Sequence, residues 1–198
     1  MPFNNPNRRL VLAGGAAALL PLPALALTEN GASTFVQGVI DDVFGIINSS
    51  QSEARVLRRF KQVFTSYADI NIIARSVLGP PYRSLSNREQ RDFSNAFGHY
   101  ISYKYGRQFR EFQGADITIT RTRDAGSKGI LVSSQVRQQG QSPFQLDWQV
   151  SDRSGQVKLI NLIIEGLSLL TSEREEIRGQ LAARRGDVNA LTAYLAAA

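Results

Sequence analysis

His99 is the one histidine in a chain of 198 residues, and cysteine is absent. Without thiols there can be no disulfide framework, thiolate zinc site, iron–sulfur cluster or cysteine nucleophile. A single imidazole allows neither a histidine-rich metal site nor a two-histidine mechanism. A serine hydrolase would need His99 as its base, and no serine stands in a G-x-S-x-G context. His99 falls inside a helical stretch between Gly98 and Tyr100, where a structural or surface role is expected. The carboxylates that stand out are Asp41-Asp42, Asp147 and Glu165. Neighbours on a helix point apart, so Asp41 and Asp42 do not form an acid–base pair. Asp147 alternates with Trp148 and is expected on the opposite side of its strand. No glycine-rich phosphate loop, dinucleotide fingerprint or metal-ligand spacing occurs. The residues argue for no enzyme, no cofactor and no metal.

Abundant instead are apolar side chains at regular spacing. Between Gly31 and Asn48, Phe35, Val36, Val39, Ile40, Val43, Phe44 and Ile47 recur with helical period. Val56, Leu57, Phe60, Val63, Phe64 and Tyr67 repeat the pattern over Ser52 to Tyr67. Asp69 can cap a short helix bearing Ile70, Ile73, Ala74, Val77 and Leu78, stopped by Gly79-Pro80-Pro81. Ser86-Asn87-Arg88-Glu89 reads as a capping box opening a long helix to about Phe112. Its stripe holds Phe93, Phe97, Tyr100, Ile101, Tyr105 and Phe109.

After Gly114 the period becomes two. Ile117 and Ile119 alternate with threonines, and Ile130, Val132, Ser134 and Val136 form a second series. Phe144, Leu146, Trp148 and Val150 form a third. The run from Val157 to Glu165, with Ile163, is apolar on both faces and belongs in a covered position. Gly126, Gly140 and Gly155 fall in the turns, which predicts a four-strand antiparallel meander. Ser172-Glu173-Arg174-Glu175 reads as a second capping box, before Ile177 and Leu181. Asp187 then caps a last helix with Val188, Leu191 and Leu195. The fold class expected is α+β, a curved sheet with helices against one face. So many long side chains could line a ligand cavity, and they could equally fill an ordinary core; the spacing fits both.

The amino terminus reads differently. Arg8-Arg9 precede a mildly apolar stretch from Leu10 to Leu20, and Ala24-Leu25-Ala26 supplies small residues for cleavage. Residues 1–26 are expected to be a secretory signal, with some likeness to a twin-arginine signal, and residues 27–198 one domain. Basic residues outnumber acidic ones 23 to 17 and are scattered, nineteen of them arginine. Solvated helix faces account for most of this, and a surface meeting acidic lipid or an acidic partner is the sharper reading. No nucleic-acid-binding motif is present.

Phe64-Thr65-Ser66-Tyr67-Ala68-Asp69, followed by Ile72-Ile73-Ala74-Arg75-Ser76-Val77-Leu78-Gly79, resembles the signature of the MlaC (toluene-tolerance) family. Phe93-Ser94-Asn95-Ala96-Phe97, Tyr105, Ile163-Ile164-Glu165-Gly166-Leu167-Ser168-Leu169 and the Gly186-Asp187-Val188 helix continue the likeness. Pro80-Pro81-Tyr82-Arg83 and Gln156-Val157-Lys158 depart from it, the latter lacking the usual Trp. The resemblance implies an NTF2-like cone, its bent sheet and helices enclosing an apolar cavity of roughly 300–1,000 Å³ or more. It implies a periplasmic carrier of phospholipid, or of a hopanoid or other hydrophobic ligand. That carrier would move between an outer-membrane lipoprotein–porin complex and an inner-membrane ABC transporter with an MCE-domain subunit. Spacing and resemblance together nominate Phe60, Phe64, Tyr67, Ile70, Ile73, Ala74, Val77, Phe97, Tyr100, Ile101, Tyr105 and Phe109 on helices as tail-binding residues. On strands they nominate Ile119, Val132, Phe144, Leu146, Trp148 and Ile163. The alternative is an NTF2-like enzyme, which would turn Asp147 or Glu165 into the same cavity beside a tyrosine.

Overall fold

Short oxygen-bearing side chains start five of the six helices in the computed structural model, which describes residues 27–198. The expected signal segment and its cleavage site lie outside the described residues. Thr28 accepts from the Gly31 amide at the head of α1 (Glu29–Ile47), and Asp69 accepts from Ile72 at the head of α3 (Ile70–Leu78). Each satisfies an amide that the first helical turn leaves without a partner. Ser86 and Glu89 make the expected reciprocal box on α4 (Asn87–Gln108), and Asp187 caps α6 (Val188–Ala196). Ser52, ahead of α2 (Glu53–Tyr67), makes no side-chain cap.

Two boundaries differ from the sequence expectation. The long helix stops at Gln108 and tightens into a 3-10 turn over Phe109–Phe112. That turn rotates Phe109 and Phe112 into a chain of rings, with Phe112 6.0 Å from Phe144. The fifth helix, α5 (Leu169–Ala183), begins one turn before Ser172. Ser168 is its cap, accepting from Thr171, and the Asn161 side chain accepts from Leu170 nearby. The Ser172-to-Glu175 spacing therefore lies inside a helix that already has its start.

The sheet is an open antiparallel meander of five strands rather than four: β1 (Asp116–Asp124), β2 (Ile130–Arg137), β3 (Phe144–Ser151), β4 (Lys158–Ile164) and β5 (Leu167–Ser168). The extra strand is two residues long and folds back on Ile163 and Ile164. Val132, Trp148 and Leu162 stand in register across β2, β3 and β4. Register shifts interrupt the pairing at Ile119/Arg121 on edge strand β1 and at Gln149/Val150 between β3 and β4, and such irregularities bend a sheet. Gly129 is required by the β1–β2 turn: its φ is +84°, and a Cβ would sit 2.1 Å from the Val150 carbonyl oxygen.

Two buried clusters result. The first lies between α1, α2 and the sheet, with Val36, Val39 and Val43 meeting Val132, Trp148 and Val150. The second joins α3, α4, α5 and α6 through Ala74, Val77, Phe93, Phe97, Ile177, Leu191 and Leu195. Gly106 on α4 lets α2 approach closely, since a Cβ there would be 3.1 Å from both Leu57 and Phe60. Among the described residues, no helix is long and apolar enough to cross a membrane.

Candidate functional site

Trp148 is the anchor from which a cavity can be built. Its indole Nε1–H donates to Ser134 Oγ at 2.9 Å, and that hydroxyl donates to the Leu146 carbonyl at 2.9 Å. With its polar edge satisfied inside the sheet, the ring presents carbon to the helices. Around it lies a cavity of about 90 Å³ whose lining is almost wholly apolar. Val39 and Val43 close it from α1, and Phe60, Val63, Phe64 and Tyr67 from α2. Ile73 of α3, with Phe97, Ile101 and Tyr105 of α4 and Phe109 just beyond, forms another wall. Leu159 to Leu162 of β4 and Leu169, Leu170 and Glu173 of α5 complete it.

Of the nominated residues, Phe60, Phe64, Tyr67, Ile73, Phe97, Ile101, Tyr105, Phe109 and Trp148 come together at this cavity. The others lie elsewhere. Ala74 and Val77 occupy the face of α3 turned into the second cluster, where both are fully buried. Tyr100 borders that cluster and donates to Glu176. Ile70 packs on Gly98, 3.1 Å from where its Cβ would be. Ile119, Val132, Phe144 and Leu146 belong to the first cluster without reaching the cavity, and Ile163 is half-buried opposite Asp147.

The cavity is smaller than expected because the rings interlock. Phe60 stacks on Phe64 at 6.0 Å and tilts against Phe109 at 5.1 Å. Tyr67 is held at its rim, its hydroxyl donating to Asp42 at 2.7 Å and its ring edge-on to Phe35. That hydrogen bond to Asp42 raises the Tyr67 pKa, with burial and the charges of Asp42 and Asp41 adding to it.

One residue that spacing could have identified was missed. Glu173 lies four positions before Ile177, on the buried stripe of α5, and is only 4% exposed. Reading Ser172 as a cap hid this, because a first-turn glutamate would face solvent. Glu173 belongs to a polar cluster on the α4–α5 seam. Lys104 Nζ lies 2.7 Å from Glu173 Oε1 and 2.6 Å from Glu176 Oε2. Tyr105 Oη donates to Glu173 Oε1 at 2.7 Å, and Tyr100 donates to Glu176. Lys104 also sits 5.6 Å from the centre of each tyrosine ring. Burial works against the Lys104 charge, but hydrogen bonds to both carboxylates outweigh it and raise its pKa. Burial and the glutamate partners hold both phenols well above their usual range, so both remain donors. Lys104 and then Tyr100 lower the pKa of Glu176.

The residues considered for catalysis lie elsewhere. His99 is bonded at both nitrogens, 3.0 Å from Lys61 Nζ and 3.1 Å from the Ala198 oxygen. Asp147 accepts from the Gln145 side chain, and Glu165 accepts from the Gln145 amide; neither lines the cavity. Among the described residues, no group of histidine and carboxylate side chains is placed to hold a metal.

Among the described residues, the α+β framework thus wedges an apolar cavity between helices and an open meander, a geometry suited to a hydrophobic ligand. The sequence matches the family described as MlaC protein over residues 37–197, and the chain belongs to that family. Its fold is similar to that of a phospholipid-binding protein from Ralstonia solanacearum, solved in complex with a phospholipid. The TM-score is 0.70 at 20% identity, covering 83% of this chain and 94% of the other.

Proposed function

We propose that this protein is a periplasmic carrier which takes the acyl chains of a phospholipid, or a related lipid, into the cavity around Trp148. In this reading it moves lipid between outer and inner membranes, exchanging it with an outer-membrane lipoprotein–porin complex and an inner-membrane ABC transporter bearing an MCE-domain subunit. Residues 1–26 serve as its export signal. The observation that carries the proposal is the apolar cavity itself, in a chain of the MlaC family. Burying one CH₂ is worth about 0.8 kcal/mol, so two long acyl chains exposed to water would cost on the order of 20 kcal/mol. A dry cavity removes that barrier, and transfer from membrane to protein becomes nearly balanced.

A volume of about 90 Å³ is well below the roughly 300–1,000 Å³ of an ordinary ligand pocket, so lipid entry requires a wall to move. α2 is that wall. It contributes four lining side chains, yet Val56 and Phe60 are its only buried residues. Few buried contacts make an element easy to displace.

Partner docking falls to a second region. Arg75, Arg83, Arg153 and Arg174 gather around an open groove beside α3, with Asp69 the only carboxylate among its lining residues. Such a surface favours acidic partners and gives salt-sensitive association. Partner affinity that stays flat from low to high salt would remove electrostatics from docking.

Native mass spectrometry of gently purified protein tests the carrier reading. One lipid per chain is expected. A bare mass, with no uptake from phospholipid vesicles, would overturn it. Asp147 and Glu165, the carboxylates an enzyme reading would have turned inward, lie outside the cavity; Glu173 is among its lining residues, with its carboxylate tied to Lys104 and Tyr105.

A further inference from the structure

Once α2 is the wall that moves, its outer face matters as much as its inner one. Val56, Phe60, Val63, Phe64 and Tyr67 share the face turned to the protein, while Arg55, Arg58, Arg59 and Lys61 are all exposed. Among the described residues none of these arginines forms an ion pair, and Glu53, the one carboxylate on α2, pairs with Arg110 at 3.5 Å. Lys61 Nζ lies 3.0 Å from His99 Nδ1 on α4, and the basic surface continues there. Tyr103, 39% exposed, stacks on His99, and Arg107 lies 4.6 Å from the tyrosine ring centre. Cations around an apolar stripe, with an exposed tyrosine beside it, suit a helix that lies in a membrane surface.

The two ends of α2 are held unequally. At its carboxyl end Tyr67 donates to Asp42, Lys158 donates to the Ser66 carbonyl, and the Asp69 amide just beyond donates to Leu159. At its amino end Ser52 supplies no side-chain cap, and the Glu53–Arg110 pair is exposed. The amino end is therefore the one free to lift. Lifting it in water would expose Phe60, Phe64 and Val63, which opposes opening. An anionic bilayer reverses that balance, because the apolar face enters the acyl boundary while the cations meet lipid phosphates. We infer that α2 is a membrane-interfacial gate: its amino end lifts onto an anionic phospholipid surface, Tyr103 and Arg107 dock beside it, and the cavity fills there. This rests on the carrier reading and gives its moving wall a trigger. A zwitterionic bilayer matches only the apolar face, so docking to it is weaker.

Trp148 is the only tryptophan and lines the cavity, so its quenching by phospholipid brominated along the acyl chain reports filling. The exported protein is mixed with vesicles of phosphatidylcholine alone, or of equal parts phosphatidylcholine and phosphatidylglycerol, each with brominated chains. Docking by co-sedimentation and quenching of Trp148 are both expected with the mixed vesicles and to be at least about tenfold weaker with phosphatidylcholine alone. A cation near an anionic surface is worth about fivefold in binding, so Arg58→Glu/Arg59→Glu should weaken docking at least about a hundredfold. Arg75→Glu/Arg83→Glu, the same change in net charge placed in the groove beside α3, should stay within about threefold of wild type. Should the first variant fail to fold, Arg58→Gln/Arg59→Gln decides, with a loss of about twentyfold expected. Equal docking to both kinds of vesicle, equal losses in the two charge-reversed variants, or docking without quenching overturns the gate. Dihexanoyl phosphatidylglycerol, dispersed as monomers and given time to equilibrate, separates gate from carrier. If it shifts the Trp148 emission while vesicles neither dock nor quench, the gate falls and the carrier stands; if neither lipid binds, both fall.

Discussion

The two hydrophobic clusters use the same kinds of side chain at the same helical spacing, yet one is solid and the other holds a cavity. In the solid cluster, α3, α4, α5 and α6 pack helix on helix, and Val77, Phe93, Phe97, Ile177, Leu191 and Leu195 are all fully buried. Side-chain ridges of one helix can fill the grooves of another. In the other cluster, α1 and α2 lie against a bulged sheet, and Val63, Phe64 and Tyr67 remain half-buried. A helix laid against a twisted, bent surface cannot fill every wedge along its length. Phe97 and Ile101, buried in the solid cluster, also wall the cavity, as do Ile73, Tyr105 and Leu170 packed against it, so the space opens where the two clusters meet. Space for a ligand thus arises from how elements meet, not from which residues they carry.

Large-to-small changes should separate the two regions most. Phe93→Ala is expected to cost about 3–5 kcal/mol, measured by urea unfolding, because its neighbours cannot close the hole. Phe64→Ala, half-buried beside existing space, should cost about 1–2 kcal/mol. Equal losses would remove the distinction between the clusters.

Overfilling is the next test. Ala74 is completely buried among α4 and α5 side chains, so Ala74→Trp should cost about 1–3 kcal/mol or more, by overpacking. A sequence reading that places Ala74 on the cavity face predicts near-normal melting instead, so the melting temperature of this variant discriminates directly.

Ala74 sits in the solid cluster, away from the cavity lining, for a physical reason. Ile73 and Ala74 are adjacent on one short helix, and apolar spacing does not say which neighbour each side of it will meet. The elements themselves were legible: caps at Asp69, Ser86 and Asp187, the meander, and its turn glycines all follow from local chemistry. β5 was not legible, because two residues show no alternation. About half of the nominated tail-binding residues meet at the cavity because α2, α4 and β3 each turn one stripe inward. Glu173 escaped because the Ser172–Glu175 spacing imitates a helix start.

A smaller effect is expected at the seam that joins cavity to solid cluster. Lys104→Met removes the cation shared by Glu173 and Glu176, and should lower the melting temperature by a few degrees at neutral pH. The folded-state pKa of Glu176 is depressed, so its contribution is present above the ordinary value of 4.5 and lost as pH falls through the lower folded value. That of Lys104 is raised, so its contribution is complete below 10.5 and lost only above the higher folded value. The wild-type advantage should therefore be flat from about pH 6 to 9 and shrink on acidification below about pH 4.5. An advantage that instead grew in acid would contradict the ion-pair assignment.

The smallest effect on stability should accompany the largest effect on function. Val63 lines the cavity from α2 and is half-buried, so Val63→Trp can occupy the space without displacing a packed neighbour. Native mass spectrometry of this variant beside the wild type, both purified gently from the same host, tests the cavity most directly. Wild type with one bound lipid, against a folded Val63→Trp with none and a melting temperature within a few degrees, is the expected pair. A folded Val63→Trp that keeps full lipid occupancy would show that lipid binds elsewhere on the molecule.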